Sequence, residues 1–403
     1  MYYRNGTSGD WIAYTPNTVL PITKGRKLQW WNNNTDLSSS ANDYVKFVFS
    51  GGIKASGNCA SMLNFPSQVA YRGLSNLFRD CTTLLTAPEL PTLNIGGYGY
   101  TGMFRGCTAL IKPPELPSTN LAAYCYNGMF QDCTSLITAP ELPASLMKQA
   151  CYMSMFQGCT SLVTPPSILY GNTMSQACYS NMFSGCTSLI KAPIINATTA
   201  AVQCFQNMFY NCTSLTSFNQ TLPGGDLRNW TSCYMGMFNG CSSLSSVPKN
   251  LVSGTRLGTQ VYRGMFNNCA SLINAPDLPA IELGASCYQN MFTGCASLIN
   301  APDLPATTLK ESCYNQMFQN CKLITSSKID ATELAENCCR NMFTNDSALS
   351  SVEVNFTDWN EEGTATANWL NGVAENGTFI KPTALEDIRG GSRIPTGWNV
   401  INK

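Results

Sequence analysis

Over most of its length the chain repeats one pattern of apolar and polar positions. A Cys-Tyr pair is followed by two variable residues, Met-Phe, another variable residue, then Gly, Asn or Asp, a second cysteine, two small residues and a leucine. A proline-punctuated run ending near Leu-Pro-Ala completes the unit. The pattern is plainest in "CYQNMFTGCASLINAPDLPA", residues 287–306. It returns as "CYNQMFQNC" (313–321), "CYMGMFNGC" (233–241), "CYSNMFSGC" (178–186), "CYMSMFQGC" (151–159) and "CYNGMFQDC" (125–133). With the phenylalanine as register mark, eleven units centre on Phe78, Phe104, Phe130, Phe156, Phe183, Phe209, Phe238, Phe266, Phe292, Phe318 and Phe343, in steps of 25 to 29 residues. A fixed period of this length marks a solenoid, whose coils bury their apolar faces against their neighbours. One elongated array therefore replaces the two or three globular domains that 403 residues would otherwise imply.

Within a unit, the place two after the phenylalanine is always Gly, Asn or Asp: Asp80, Gly106, Asp132, Gly158, Gly185, Asn211, Gly240, Asn268, Gly294, Asn320 and Asn345. These residue types tolerate a left-handed backbone, which commonly ends a helix. The pattern thus predicts a short helical turn through "CYxxMF" that stops there. Beyond it, C-x-x-L with Leu110, Leu136, Leu162, Leu189, Leu215, Leu244, Leu272 and Leu298 predicts a brief strand stacked in parallel on its copies, about 4.8 Å away. Pro114, Pro140, Pro193, Pro276 and Pro302 each remove a ladder N–H, so the strand should pass quickly into an extended, polyproline-like stretch. Eleven such coils make a rod roughly 50 Å long.

The repeat also assigns the 20 cysteines. Cys107, Cys133, Cys159, Cys186, Cys212, Cys241, Cys269 and Cys295 form one column, and Cys125, Cys151, Cys178, Cys204 and Cys233 another. A thiol in such a column acts as a small buried apolar group whose S–H can donate to a carbonyl. Disulfides between adjacent copies are the alternative, since Cα separations near 5 Å permit a bridge. Val261, Gly99 and Gly73 interrupt the column of Cys125, however, and Asp346 that of Cys107. Zinc requires four ligands converging on one point, which a column does not supply.

The phrase "MFxGCTSLxxAPxLPATTL" resembles the BspA-like leucine-rich repeats of surface proteins of anaerobic gut bacteria and of proteins of their phages. The resemblance covers about residues 59–355 and extends to "DYVKFVFSGGIKASGNCASML" (43–63) before the array and "GVAENGTFIKPTALEDIRGGSRIPTGWNVIN" (372–402) after it. It implies a right-handed leucine-rich-repeat solenoid of α/β type, used for adhesion or recognition and without enzymatic activity. "PSILYGNTM" (166–174) and "SFNQTLPGGDLRNW" (217–230) depart from the pattern and predict irregular coils. Open solenoid ends expose apolar core and strand edges, so atypical ends are expected. The reading divides the chain into a β-rich cap or attachment segment (1–58), the solenoid (59–350) and a C-terminal cap (351–403). "GRKLQWWNNNT" and "DYVKFVFSGG" are the expected strands of the first, and "VEVNFTDW" (352–359) and "GTFIKP" (377–382) those of the last.

Composition narrows the chemistry. There is no histidine, so Ser-His-Asp and Cys-His catalysis, histidine metal sites and histidine acid-base chemistry are excluded. Glu89, Glu115 and Glu141 fall in one column, as do Asp277 and Asp303; splayed, solvated acids or a weak calcium ridge account for them better than a glycosidase pair. The formal net charge is zero, so no basic stripe supplies a nucleic-acid footprint. Neither a metal nor another cofactor is called for. Recognition remains. Tyr98, Tyr170, Asn219, Arg228 and Trp230, at or near the irregular places, are the candidate binding residues, suited to sugars or protein partners. The opening "MYYRNGTSGDW" has no charged n-region or apolar h-region, and no run of 18 apolar residues occurs, so neither signal peptide nor membrane span is expected. Abundant thiols fit assembly in a reducing cytoplasm. The expected setting is a phage virion, the chain being part of a larger assembly that contacts other virion proteins and a host glycan or protein receptor. A bacterial surface adhesin is the alternative.

Overall fold

In the computed structural model, residues 1–22, 24–32, 37, 42, 44–63, 68–90, 94–359 and 363–403 are described. Residues 33–35 and 43, within two of the expected N-terminal strands, and 360–362, within the expected C-terminal cap, lie outside them. The expected repeat solenoid is present, with coils that stack in the register the phenylalanines mark. The helical turn is not. Among the described residues the one helix is a single 3-10 turn at Cys59–Met62.

In place of a helix, each "CYxxMFxxC" segment is a chain of overlapping turns. Alternate amides reach back three residues, as Thr101 N–H to the Tyr98 carbonyl (3.1 Å), Met103 to Tyr100 (3.1 Å), Arg105 to Gly102 (3.0 Å) and Cys107 to Phe104 (3.1 Å). The amides between them donate to the next coil: Tyr100 to the Cys125 carbonyl (2.9 Å), Gly102 to Asn127 (2.9 Å), Phe104 to Met129 (2.9 Å) and Gly106 to Gln131 (2.8 Å). An α-helix would spend every N–H on its own i−4 carbonyl and leave none for the neighbouring coil. Here half the amides bind coil to coil, as in a parallel sheet. The conformation needs a left-handed residue at every fourth place. In the second coil these are Tyr98 (φ 59°), Gly102 (59°) and Gly106 (73°), and in the ninth Ser286 (54°), Asn290 (58°) and Gly294 (75°). Such a residue stands third in alternate turns, as a type II turn requires. The Gly/Asn/Asp position read as a helix stop is therefore the last of three left-handed positions.

Two parallel ladders complete each coil. After the second cysteine, most coils meet through single bridges such as Thr138 to Thr164 and Asn274 to Asn300. Longer pairing appears where prolines are absent, at Ile168–Gly171 with Ile194–Ala197. It appears again in a four-stranded parallel sheet of Ser326–Ile329, Ser351–Val354, Thr378–Lys381 and Asn399–Asn402. The other ladder runs through Asp226–Leu227, Arg256–Leu257, Glu282, Thr308 and Glu333.

Side chains stack in the same register. Phenylalanine rings from Phe78 to Phe343 lie 5.5–5.6 Å apart and within 14° of parallel. A second stack runs from Tyr100 to Tyr314, with Phe205 replacing one tyrosine. Both stacks are buried. Each fully buried Phe, Met or Leu is worth about 1.5–3 kcal/mol, and a lone coil could bury none of them. The ends are closed by larger rings. Trp30 packs on Phe47 (5.0 Å), which tilts onto Phe78 (5.4 Å); Trp30 belongs to an antiparallel sheet of Tyr2–Asn5, Ile12–Ala13 and Leu28–Trp31. At the other end Trp369 packs against Phe343, Phe356, Trp359 and Phe379. Its indole N–H donates to the Arg393 carbonyl at 2.8 Å, and Trp398 likewise reaches Ala374.

Candidate recognition surface

The interior is committed to structure, and the cysteines show how. In the column of Cys107 the thiol of each coil donates to the phenylalanine carbonyl of the coil before. Cys107 reaches Phe78, Cys133 reaches Phe104 and Cys159 reaches Phe130, all at 3.0 Å, and the series runs on to Cys321 and Phe292. The same carbonyl accepts the backbone N–H three residues on in its own coil. Each cysteine is therefore a small apolar filler and a donor in one, which neither Ala nor Val supplies. All 20 are buried and free of disulfides. Burial pushes the thiols of Cys241 and Cys287 up to about 12, far from the range in which a thiolate attacks or binds metal. Burial likewise raises the stacked tyrosine hydroxyls, among them Tyr126 and Tyr262. Among the described residues no three Cys, Asp or Glu side chains converge on a point that would hold a metal ion.

Chemistry therefore lies on the outside. The predicted binding residues do not form one site. Tyr98 stands at the entrance to a turn chain, half-buried. Tyr170 lies in the strand Ile168–Gly171, where its carbonyl accepts the Tyr179 hydroxyl at 2.6 Å. Asn219 is exposed and bonds Ser217, while Trp230 is half-buried against the core. Arg228 grips Asp226 with two nitrogens, at 2.6–3.0 Å, and approaches Glu282 at 4.0 Å. That hydrogen bonding draws the Asp226 carboxyl below its ordinary range. With Arg256 bonded to Glu282 (3.0 Å), these groups make an ionic ladder across three coils. In the acidic column, Glu141 accepts from Ser167 N and Oγ, and Asp277 meets Lys249 at 3.7 Å.

Three outward features were not read from the sequence. Tyr98 belongs to a cluster: its ring stacks on Tyr124 (4.7 Å, 4°), meets Tyr71 edge-on (5.6 Å), and carries the Arg72 guanidinium 4.3 Å above it. The residue six before each register phenylalanine, tyrosine in two consecutive units, was the available signal. The place after each buried leucine forms an exposed aliphatic ridge of Ile111, Ile137, Val163 and Ile190, which Thr216 and Ser245 interrupt before Ile273 and Ile299 resume it. In the irregular coil, the Gln220 amide accepts the Ile195 N–H and donates to the Pro193 carbonyl, both at 2.7 Å, standing in for a missing stretch of strand backbone.

Residues 258–362 match the BspA type leucine rich repeat region, and residues 126–251 match a family described as Mycoplasma protein of unknown function, DUF285. The chain's later coils are BspA-type leucine-rich repeats. No curated protein matches it. Among solved structures, the chain is similar to a leucine-rich repeat protein from Bacteroides ovatus ATCC 8483. It is 16% identical over 97% of this chain and 100% of its own, with a TM-score of 0.38, too low to carry an inference. No helix among the described residues is long and apolar enough to cross a membrane.

Proposed function

We propose that this chain is a non-enzymatic recognition and attachment protein, a rigid repeat scaffold carried on a phage virion and binding host surface or neighbouring virion proteins. The observation that carries the reading is the division of labour across the coil wall. Inside, the thiols and phenols of the ladders are buried and locked into packing. Outside, a constant backbone presents side chains that change from coil to coil: tyrosines and arginines near residue 98, an aliphatic ridge, and an ionic ladder near residue 256. A fixed frame with varied exposed positions suits binding to extended partners.

The virion setting draws on the thiols. Ten of them, from Cys81 to Cys321, donate along the stack, and oxidation would remove those donors. Folding where thiols stay reduced preserves them, and particles assemble in such a compartment. A second reading, a bacterial cell-surface adhesin binding host protein or glycan, draws on the BspA-type repeats themselves. Fractionation of the source into particles, cell envelopes and soluble protein, with the chain located by mass spectrometry, separates the two. The virion reading expects it in particles; envelopes alone would make it an adhesin, and a purely soluble protein would overturn both.

A further inference from the structure

The outer face of the first turn chains holds a shallow recess of about 170 Å³. Its floor exists because the left-handed places there are Gly102 and Gly128; a Cβ on Gly102 would stand 2.5 Å from the Asn76 Oδ1. The next three coils put Ser154, Asn181 and Asn207 at these places, before glycine returns at Gly236 and Gly264. Arg72, Arg79 and Arg105 line the recess together. Among the described residues no carboxylate pairs with Arg72 or Arg105, and Asp80 comes no nearer to Arg79 than 3.7 Å. The buried Arg79 Nε makes no hydrogen bond and has only this ion pair with Asp80. Asn127 and Gln131 add amides that both donate and accept, and Thr101, whose hydroxyl donates to the Tyr124 carbonyl, adds an acceptor. Beside the lining residue Tyr98, Tyr71 meets its ring edge-on and is 58% exposed.

We infer that this recess binds one acidic sugar unit, a saccharide bearing a carboxylate or sulfate. The guanidinium groups supply charge-assisted bonds of the fork geometry that such anions match. Amides and a hydroxyl meet sugar hydroxyls, which also donate and accept, and the Tyr71 ring offers an apolar face to the C–H side of a pyranose. The volume is below the roughly 300 Å³ at which drug-sized sites begin, which suits a single ring. An extended acidic peptide would need a groove; a nucleic acid would need basic groups beyond these three on a chain of zero net charge. The inference deepens the recognition role proposed above and names its ligand class.

The test is calorimetric titration of the full chain with glucuronate, N-acetylneuraminate, glucose and sodium sulfate at one ionic strength. At least one acidic sugar should bind ten or more times more tightly than glucose and more tightly than sulfate. Arg105→Gln and Tyr71→Ala should each weaken it tenfold or more with melting curves unchanged, and Arg105→Lys should retain part of the affinity. Equal binding of glucose, sulfate as good as the sugars, binding unaffected by both variants, or no binding would each overturn the inference. Failure here with the chain found in particles would remove this site and leave the recognition role; binding here with a purely soluble chain would do the reverse.

Discussion

Asp346 occupies the place that cysteine holds in the preceding ten coils, and replacing it should stabilise the protein in a pH-dependent way. Its side chain is fully buried. Oδ1 accepts the Cys321 N–H at 2.6 Å, and Oδ2 has no partner. Burial pushes its carboxyl up from 3.8 to about 9. The folded chain thus keeps a proton that the unfolded chain has already released, so this group's contribution is full below about pH 3.8 and lost progressively as pH rises toward 9. At about 1.4 kcal/mol per unit, the loss between pH 5 and pH 8 comes to about 4 kcal/mol. Asp346→Cys removes the ionisable carboxyl and restores a donor for the Phe318 carbonyl. It should match the parent near pH 5 and exceed it by up to about 4 kcal/mol at pH 8. Repeat arrays open locally, so the assay is hydrogen exchange of residues 318–350 followed by mass spectrometry and corrected for intrinsic rates. Parent protection that does not change between pH 5 and pH 8, or a variant less protected than the parent at pH 8, would refute the reasoning.

Other outcomes follow from the same geometry. Gly102→Ala puts a Cβ against Asn76 at a left-handed φ of 59° and should cost about 1–3 kcal/mol in denaturant unfolding, whereas Ser154→Gly, relieving the same backbone at φ 54°, should stabilise by up to about 1 kcal/mol. Cys186→Ala removes the donor to Phe156 (3.1 Å) and leaves a small void, with an expected loss of about 1–2 kcal/mol. Arg256→Gln should change stability by less than about 1 kcal/mol, because its partner Glu282 is solvent-exposed like itself.

The solenoid and its register were legible because one residue type recurs at one place, Phe104 or Phe292 being interchangeable rungs. The cysteine columns were legible for the same reason. The turn chain was misread as a helix because one left-handed position was taken as a terminus. The residue two before each phenylalanine, Gly102, Asn181 or Asn290, carries the same glycine and asparagine preference and would have revealed the period of four. The earliest left-handed place, Tyr98 or Ala150, bears residues with no such preference, since coil-to-coil hydrogen bonds impose its φ; no sequence signal marks it. Phe47, the first rung, was hidden by a step of 31 residues and by lacking the Met-Phe context. Of the surface, Tyr98 was singled out, but its partners Tyr71, Arg72 and Tyr124 are brought to it by stacking one coil on the next. Arg228 was singled out as a contact residue; its ion pair with Asp226 is local, and that with Glu282 comes from the ladder register, which the sequence does not display.

The account rests on an interior of reduced, buried thiols that act as rungs. Titration with a thiol reagent in the absence of reductant tests this directly, first on the native protein and then in denaturant. Near-zero reactivity when folded and close to 20 thiols when unfolded is the predicted result. Markedly fewer thiols in the unfolded chain would mean that disulfides hold the coils together, and rapid reaction of the native protein would mean that the columns are open to solvent; either would contradict it.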